Sequence, residues 1–236
     1  MKRFLTGILL IILFLPFINS FMPPDHRYIN NELMATYKGN SDFYNICKQY
    51  PDLCYVGNIL TDISVVYYYT QGGLKYESTH FPNFCTEGMD RATTQQEKAC
   101  AIGMCLHHTQ DVVSHTQMVP YAIKHLGIPN SIIHVFAEQH MSNIILSEHP
   151  EIRGELNINR ESWKTCSNLV KKVLENNENW KSDFDTGKID TLINDFIIEV
   201  EKSINPNAKT SYDLAFENKV SFFGKFSLMP LPFLIT

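Results

Sequence analysis

Apolar residues recur along this chain mainly at helical spacing. Tyr28, Ile29 and Leu33 fall on one stripe, with Asp25 placed as an N-cap just after Pro23-Pro24. From Val56 to Tyr69 the residues Ile59, Leu60, Ile63 and Val66 again repeat every three or four positions, and Gly72-Gly73 ends the segment. The Val and Tyr content of that stretch would also suit a strand, and the spacing favours a helix. Residues 93 to 119 predict a long helix in which Ala99, Ala101 and Gly103 leave room for a close neighbour. The stretch GGLKYESTHFPNFC reads as a loop. Trp163 to Ser203 reads as two amphipathic helices divided by the polar SDFDTG, with apolar stripes that belong to a core. The pattern predicts an all-α fold in a single multi-helix domain.

Two segments depart from this periodicity. Residues 1–20 carry Lys2 and Arg3, an apolar run from Phe4 to Phe17 and a polar end at Ser20. They read as a signal peptide cut after Ser20, leaving a domain over 21–236 for export to the cell surface or beyond. An uncleaved anchor is the alternative, disfavoured by Pro16 and the short run. The final apolar residues, beyond Lys225, are too few to span a bilayer.

Composition adds the compartment. Six cysteines, an even number, suit two or three disulfides in an oxidising environment, and Cys47 and Cys54 could close a local loop around Pro51. None has zinc-knuckle spacing. The formal net charge is −5, and losing Lys2 and Arg3 with the leader would make it −7, which excludes bulk attraction to polyanions.

The candidate chemistry lies between Cys105 and Glu138. His107, Asp111 and His115 are four residues apart, so on an α-helix all three project from one face. After a break at Gly127 and Pro129, His134 and Glu138 repeat the spacing. A lone His-x3-Asp is commonly a hydrogen-bonded surface pair. This set has five nitrogen and oxygen donors and few Lys or Arg partners, so it reads as a metal site. Histidine and carboxylate without cysteine favours zinc in an open, catalytic arrangement. Asp62 is the one charged residue of its apolar segment and needs a cationic partner if buried.

With Asp62, the STHF around His80, the LHHTQD of His107 to Asp111 and the HVFAE of His134 to Glu138 in place, the chain resembles the zinc-dependent phospholipase C family. The likeness is strongest to the phospholipase C/D catalytic domain of glycosylphosphatidylinositol-specific phospholipase D, and more distant to the single-strand nucleases of the same fold. It covers roughly residues 21–145, with the C-terminal helices at 160–204 beyond it. It implies two to three zinc ions. Asp62, His80, His107 and Asp111 would hold the first, and His115, His134 and Glu138 the second. His26 would hold a third with Asp111 bridging and the backbone of Phe21 assisting. Asp62 could instead orient the attacking water. The four-residue step from Asp111 to His115 matches the phospholipase D branch, where the bacterial phospholipase and the nucleases have six. His108 would stand beside the site or be exposed, and His125, His140 and His149 fit no ligand pattern.

The implied activity is zinc-dependent hydrolysis of phospholipids or lipid-linked phosphodiesters at a membrane surface. A single-strand nuclease is the first rival, and a non-catalytic, metal-stabilised surface protein the second. Between Tyr55 and Glu138 the basic residues are Lys75, Arg91, Lys98 and Lys124, too few for a polyanion track, so no nucleic-acid partner is expected. Val65, Val66, Tyr67, Tyr68 and Tyr69 beside Asp62 offer apolar surface for a lipid, with a core role as the alternative.

Overall fold

The computed structural model describes residues 23–64, 79–80, 82–118, 120–121, 141–176 and 188–204. Among them every regular element is helical, as the periodicity predicts. In chain order these are α1 (Pro23–Thr36), α2 (Asp42–Gln49), α3 (Pro51–Leu60), α4 (Pro82–Arg91), α5 (Gln95–Val113), α6 (141–148), α7 (Ile152–Glu155), α8 (Arg160–Asn176) and α9 (Ile189–Ile204). A π-helical turn, Ser114–Met118, follows α5 directly. Among the described residues no helix is long and apolar enough to cross a membrane. The leader at 1–20, Phe21, residues 65–78 with their tyrosines, His125, His134, Glu138, His140 and the end of the chain lie outside the described residues.

The fold is built around α5. Thr94 caps its N-terminus by accepting from the Glu97 backbone, and Glu97 returns the bond to the Thr94 backbone, so two orphan donors are satisfied at once. Lys172 of α8 reaches the same carboxylate. Further along, α5 and α3 pack nearly backbone to backbone. A Cβ on Gly103 would run into the Cys54 carbonyl oxygen, and one on Gly57 into that of Cys100. The small residues that left room in the sequence are therefore where α3 sits down. Around this contact Tyr55, Ile59, Leu60, Ile63, Phe84 and Met104 are fully buried.

All six cysteines are paired. Cys47–Cys54 joins α2 to α3, as the local spacing suggests, while Cys85–Cys105 and Cys100–Cys166 tie α4 and α8 to α5. The last closes a separation of 66 residues, which in the chain-entropy account stabilises the fold by about 4 kcal/mol. Trp163 of α8 meets Phe196 of α9 edge-on at 6.4 Å, so the apolar stripes of these helices are core, as read from the sequence.

Some boundaries differ from the sequence reading. The helix expected from Val56 begins at Pro51, whose fixed φ suits a first turn. For the same reason α4 starts at Pro82, inside a stretch read as loop. Asp25 is no exposed cap. It lies inside the first turn of α1, fully buried, and its Oδ2 accepts from Ser142 Oγ at 2.9 Å. Arg27 fastens α1 to α7 through Glu155 Oε2 at 2.9 Å and lies over the Tyr55 ring. These contacts fix the helix that carries His26.

Candidate metal centre

Three helical segments converge on one point. α1 brings His26, the turn after α3 brings Asp62, and α5 brings His107 and Asp111 one turn apart. His80 enters from the short segment before α4. Thr79 pins that segment, donating to the Thr61 carbonyl and pairing with Ser64 Oγ at 2.7 Å, so His80 is set against Asp62.

The donor atoms stand close together. His80 Nε2 is 3.1 Å from Asp62 Oδ1 and 3.7 Å from Asp111 Oδ2. His107 Nε2 is 3.6 Å from Asp62 Oδ1, 3.2 Å from Asp111 Oδ2 and 3.3 Å from His80 Nε2. Four donors about 2.0–2.2 Å from a tetrahedral zinc stand about 3.3–3.6 Å from one another; the five separations, 3.1–3.7 Å, bracket that range closely, so small shifts would let them fit one such ion. The donor chemistry fits as well, with imidazole nitrogen and carboxylate oxygen and no thiolate. Asp111 Oδ1 is buried without a hydrogen-bond partner among the described residues, leaving an acceptor turned to the interior.

His26 extends the cluster. Its ring lies 4.6 Å from that of His107, and its Nε2 is 3.7 Å from Asp62 Oδ2. The two Asp62 oxygens therefore face different histidines, Oδ1 towards His80 and His107 and Oδ2 towards His26. The resemblance gives the bridging role to Asp111, whose Oδ1 is the available atom for it. Donor atoms of His26, Asp62 and His107 lie within 4.8 Å of one another, as do those of His80, His107 and Asp111.

His115 is half-buried and follows α5 in the π-helical turn, where its ring feels the charges of Asp111, His80, His107 and Asp62. His134 and Glu138, its expected companions, are outside the described residues, as is Phe21. The His149 ring is tilted against Tyr28 with centroids 4.7 Å apart, and its Nδ1 lies 3.2 Å from Glu151 Oε1. His108 is half-buried beside the site, and its Nε2 has no hydrogen-bond partner among the described residues.

The charges respond to this crowding. Burial opposes a charged His107, yet the Asp111 and Asp62 carboxylates outweigh it and raise its pKa to about 9. Burial, with His107 adding to it, holds His26 down at about 4 against the same carboxylates. His108 is also held at about 4, by burial and then by His107 and His80. Burial would raise Asp111 and Asp62, but the imidazoles keep both carboxyls below their usual range. Burial lowers His115.

The sequence reading overlooked three amides beneath the rings. Asn58 Oδ1 lies 3.3 Å from His107 Nδ1, and Gln110 Oε1 lies 2.5 Å from His26 Nδ1. Asn58 Nδ2 donates to Asn30 Oδ1 at 3.3 Å and to Gln110 Oε1 at 3.0 Å, and Gln110 Nε2 donates to Asn30 Oδ1 at 2.8 Å. Their signal was the same four-residue step, His26 to Asn30 and Asn58 to Asp62, with Gln110 next to Asp111.

A family model described as zinc dependent phospholipase C matches residues 25–198. No curated protein and no solved structure matches the chain. The matched span takes in His26, Asp62, His80, His107 and Asp111 together with the helices that present them. The chain belongs to the zinc-dependent phospholipase C family.

Proposed function

We propose that this chain is a secreted zinc-dependent phosphodiesterase acting on phospholipids or lipid-linked phosphates. The first zinc would be held by Asp62, His80, His107 and Asp111, a second by His115, His134 and Glu138, and a third by His26 with the backbone of Phe21. The observation that carries this reading is the mutual spacing of the four donors of the first set, 3.1–3.7 Å over five measured pairs. Zinc in such a site supplies a Lewis acid for the phosphodiester and makes water more acidic.

The chain's own part follows from burial. The His107 and His26 side chains are wholly buried, while those of His80, Asp62 and Asp111 keep 12%, 10% and 11% of their exposure. The cluster is thus closed behind and open along the His80, Asp62 and Asp111 rim, where a phosphate ester would approach. Asp62, with oxygens facing both sides, is also placed to orient a water at that rim. Secretion is supported by the leader-like residues 1–20 and by three disulfides that use every cysteine.

Lipid is favoured over nucleic acid because basic residues are sparse along the site-bearing stretch. Hydrolysis of a micellar phospholipid and of single-stranded DNA or RNA, compared at matched zinc and pH, tests this choice. Faster lipid hydrolysis is expected. Faster cleavage of nucleic acid would move the chain to the nuclease branch, and no cleavage of either would leave the non-catalytic reading.

A further inference from the structure

Three buried amides from three helices form a closed triangle under the metal centre. Asn58 uses both Nδ2 hydrogens, one on Asn30 Oδ1 and one on Gln110 Oε1, and Gln110 Nε2 completes the triangle on Asn30 Oδ1. We infer that Asn30, Asn58 and Gln110 are positioning residues that couple the ring tautomers of His107 and His26, so that both carry hydrogen on Nδ1 and turn Nε2 towards the carboxylates.

The coupling is a matter of counting donors and acceptors. Rotating Asn58 alone by half a turn would set its oxygen against Asn30 Oδ1 and Gln110 Oε1, turning two hydrogen bonds into two repulsions. Rotating Gln110 or Asn30 alone likewise breaks two bonds. Only a reversal of all three amides preserves the triangle, so the acceptor facing His107 and the acceptor facing His26 exist together or not at all. The direction is set at His107, whose Nδ1 faces Asn58 Oδ1 at 3.3 Å while its Nε2 faces Asp111 Oδ2 at 3.2 Å. An amide oxygen cannot donate. His107 Nδ1 therefore carries the hydrogen, Asn58 Oδ1 accepts it, and the triangle passes that orientation to Gln110 Oε1 and on to His26 Nδ1.

The consequence for zinc rests on the function proposed above. A ring held with Nδ1–H presents its Nε2 lone pair, and the partner of the other nitrogen commonly changes metal affinity by about 10- to 100-fold. Each amide sits within a turn of a proposed ligand on its own helix or the turn after it, so substrate contact is not its role.

The test has two parts. Ring nitrogen and proton NMR of His26 in the zinc-free, otherwise unaltered chain at pH 7.5 reads the tautomer directly. Hydrogen on Nδ1 with a bare Nε2 is expected, and hydrogen on Nε2 would overturn the inference. Asn58→Leu, which removes the links to His107, Asn30 and Gln110 at similar volume, is expected to weaken zinc binding about 10- to 100-fold in a chelator competition. Binding within about threefold of the unaltered chain would also overturn it. If Asn58→Leu does not fold, the NMR of the unaltered chain decides alone. If the unaltered chain takes up no zinc, the metal reading fails while the His26 signals still decide the tautomer.

Discussion

His107 and Asp111 stand one turn apart on α5, and Nε2 of the histidine lies 3.2 Å from Oδ2 of the aspartate. In the metal-free protein the pair holds itself together, since the carboxylates raise the His107 pKa and the imidazole lowers that of Asp111. Two carboxylates and three imidazoles in one pocket are still costly to desolvate. The separations among Asp62, His80, His107 and Asp111, 3.1–3.7 Å, are close to those that ligands of one ion would have.

Asp111 should therefore matter more than its neighbour His108. Asp111→Asn keeps the shape but removes the charge facing His107 and His80. It is expected to lower both zinc content and hydrolysis, the latter by about 100-fold or more. His108→Ala, whose ring donates to none of these carboxylates, should change activity by less than about tenfold. Zinc analysis and initial rates of the two variants check this. Equal losses would contradict the placing of Asp111 at the site and His108 beside it.

Zinc uptake should also be tied to pH through His107. In the metal-free protein its pKa is about 9, because Asp111 and Asp62 outweigh burial, so at pH 7 the ring is protonated. Zinc needs the neutral ring, and binding must expel that proton. His26, held at about 4, has none to give at pH 7. Apparent affinity should rise about tenfold per pH unit from 7 towards 9 and then level off. Calorimetry in buffers of differing ionisation enthalpy would count the protons released, and a count near zero would contradict the charge assignment.

The contact of α3 with α5 holds the two halves of the cluster together. Gly103→Ala would push a methyl group into the Cys54 carbonyl. A loss of about 3 kcal/mol in unfolding free energy is expected, with a drop in zinc affinity because Asp62 and His107 are moved apart. Chemical denaturation with and without zinc measures both.

Much of this was legible in the sequence where a helix stays regular. The His107-x3-Asp111 step reads correctly because α5 is α-helical through Val113. The π turn at Ser114–Met118 is not foreseen by arithmetic at 100° per residue, although His115 within it still feels the charges of Asp111 and His107. Asp62 stood out as a charge alone in an apolar segment. Asn58 did not, since an uncharged amide in a helix resembles any cap or surface residue until its partners are known. The Cys47–Cys54 loop was local enough to read, whereas Cys100–Cys166 joins helices whose adjacency only the packing establishes.

Zinc content and phospholipid hydrolysis should rise together. Protein stripped with a chelator would be titrated with zinc while the initial rate on phospholipid micelles is followed. The expected result is no measurable rate without zinc and a rise to a plateau at two to three ions per chain. A stripped protein that hydrolyses phospholipid at the full rate, or one that stays inactive at every zinc loading, would contradict it.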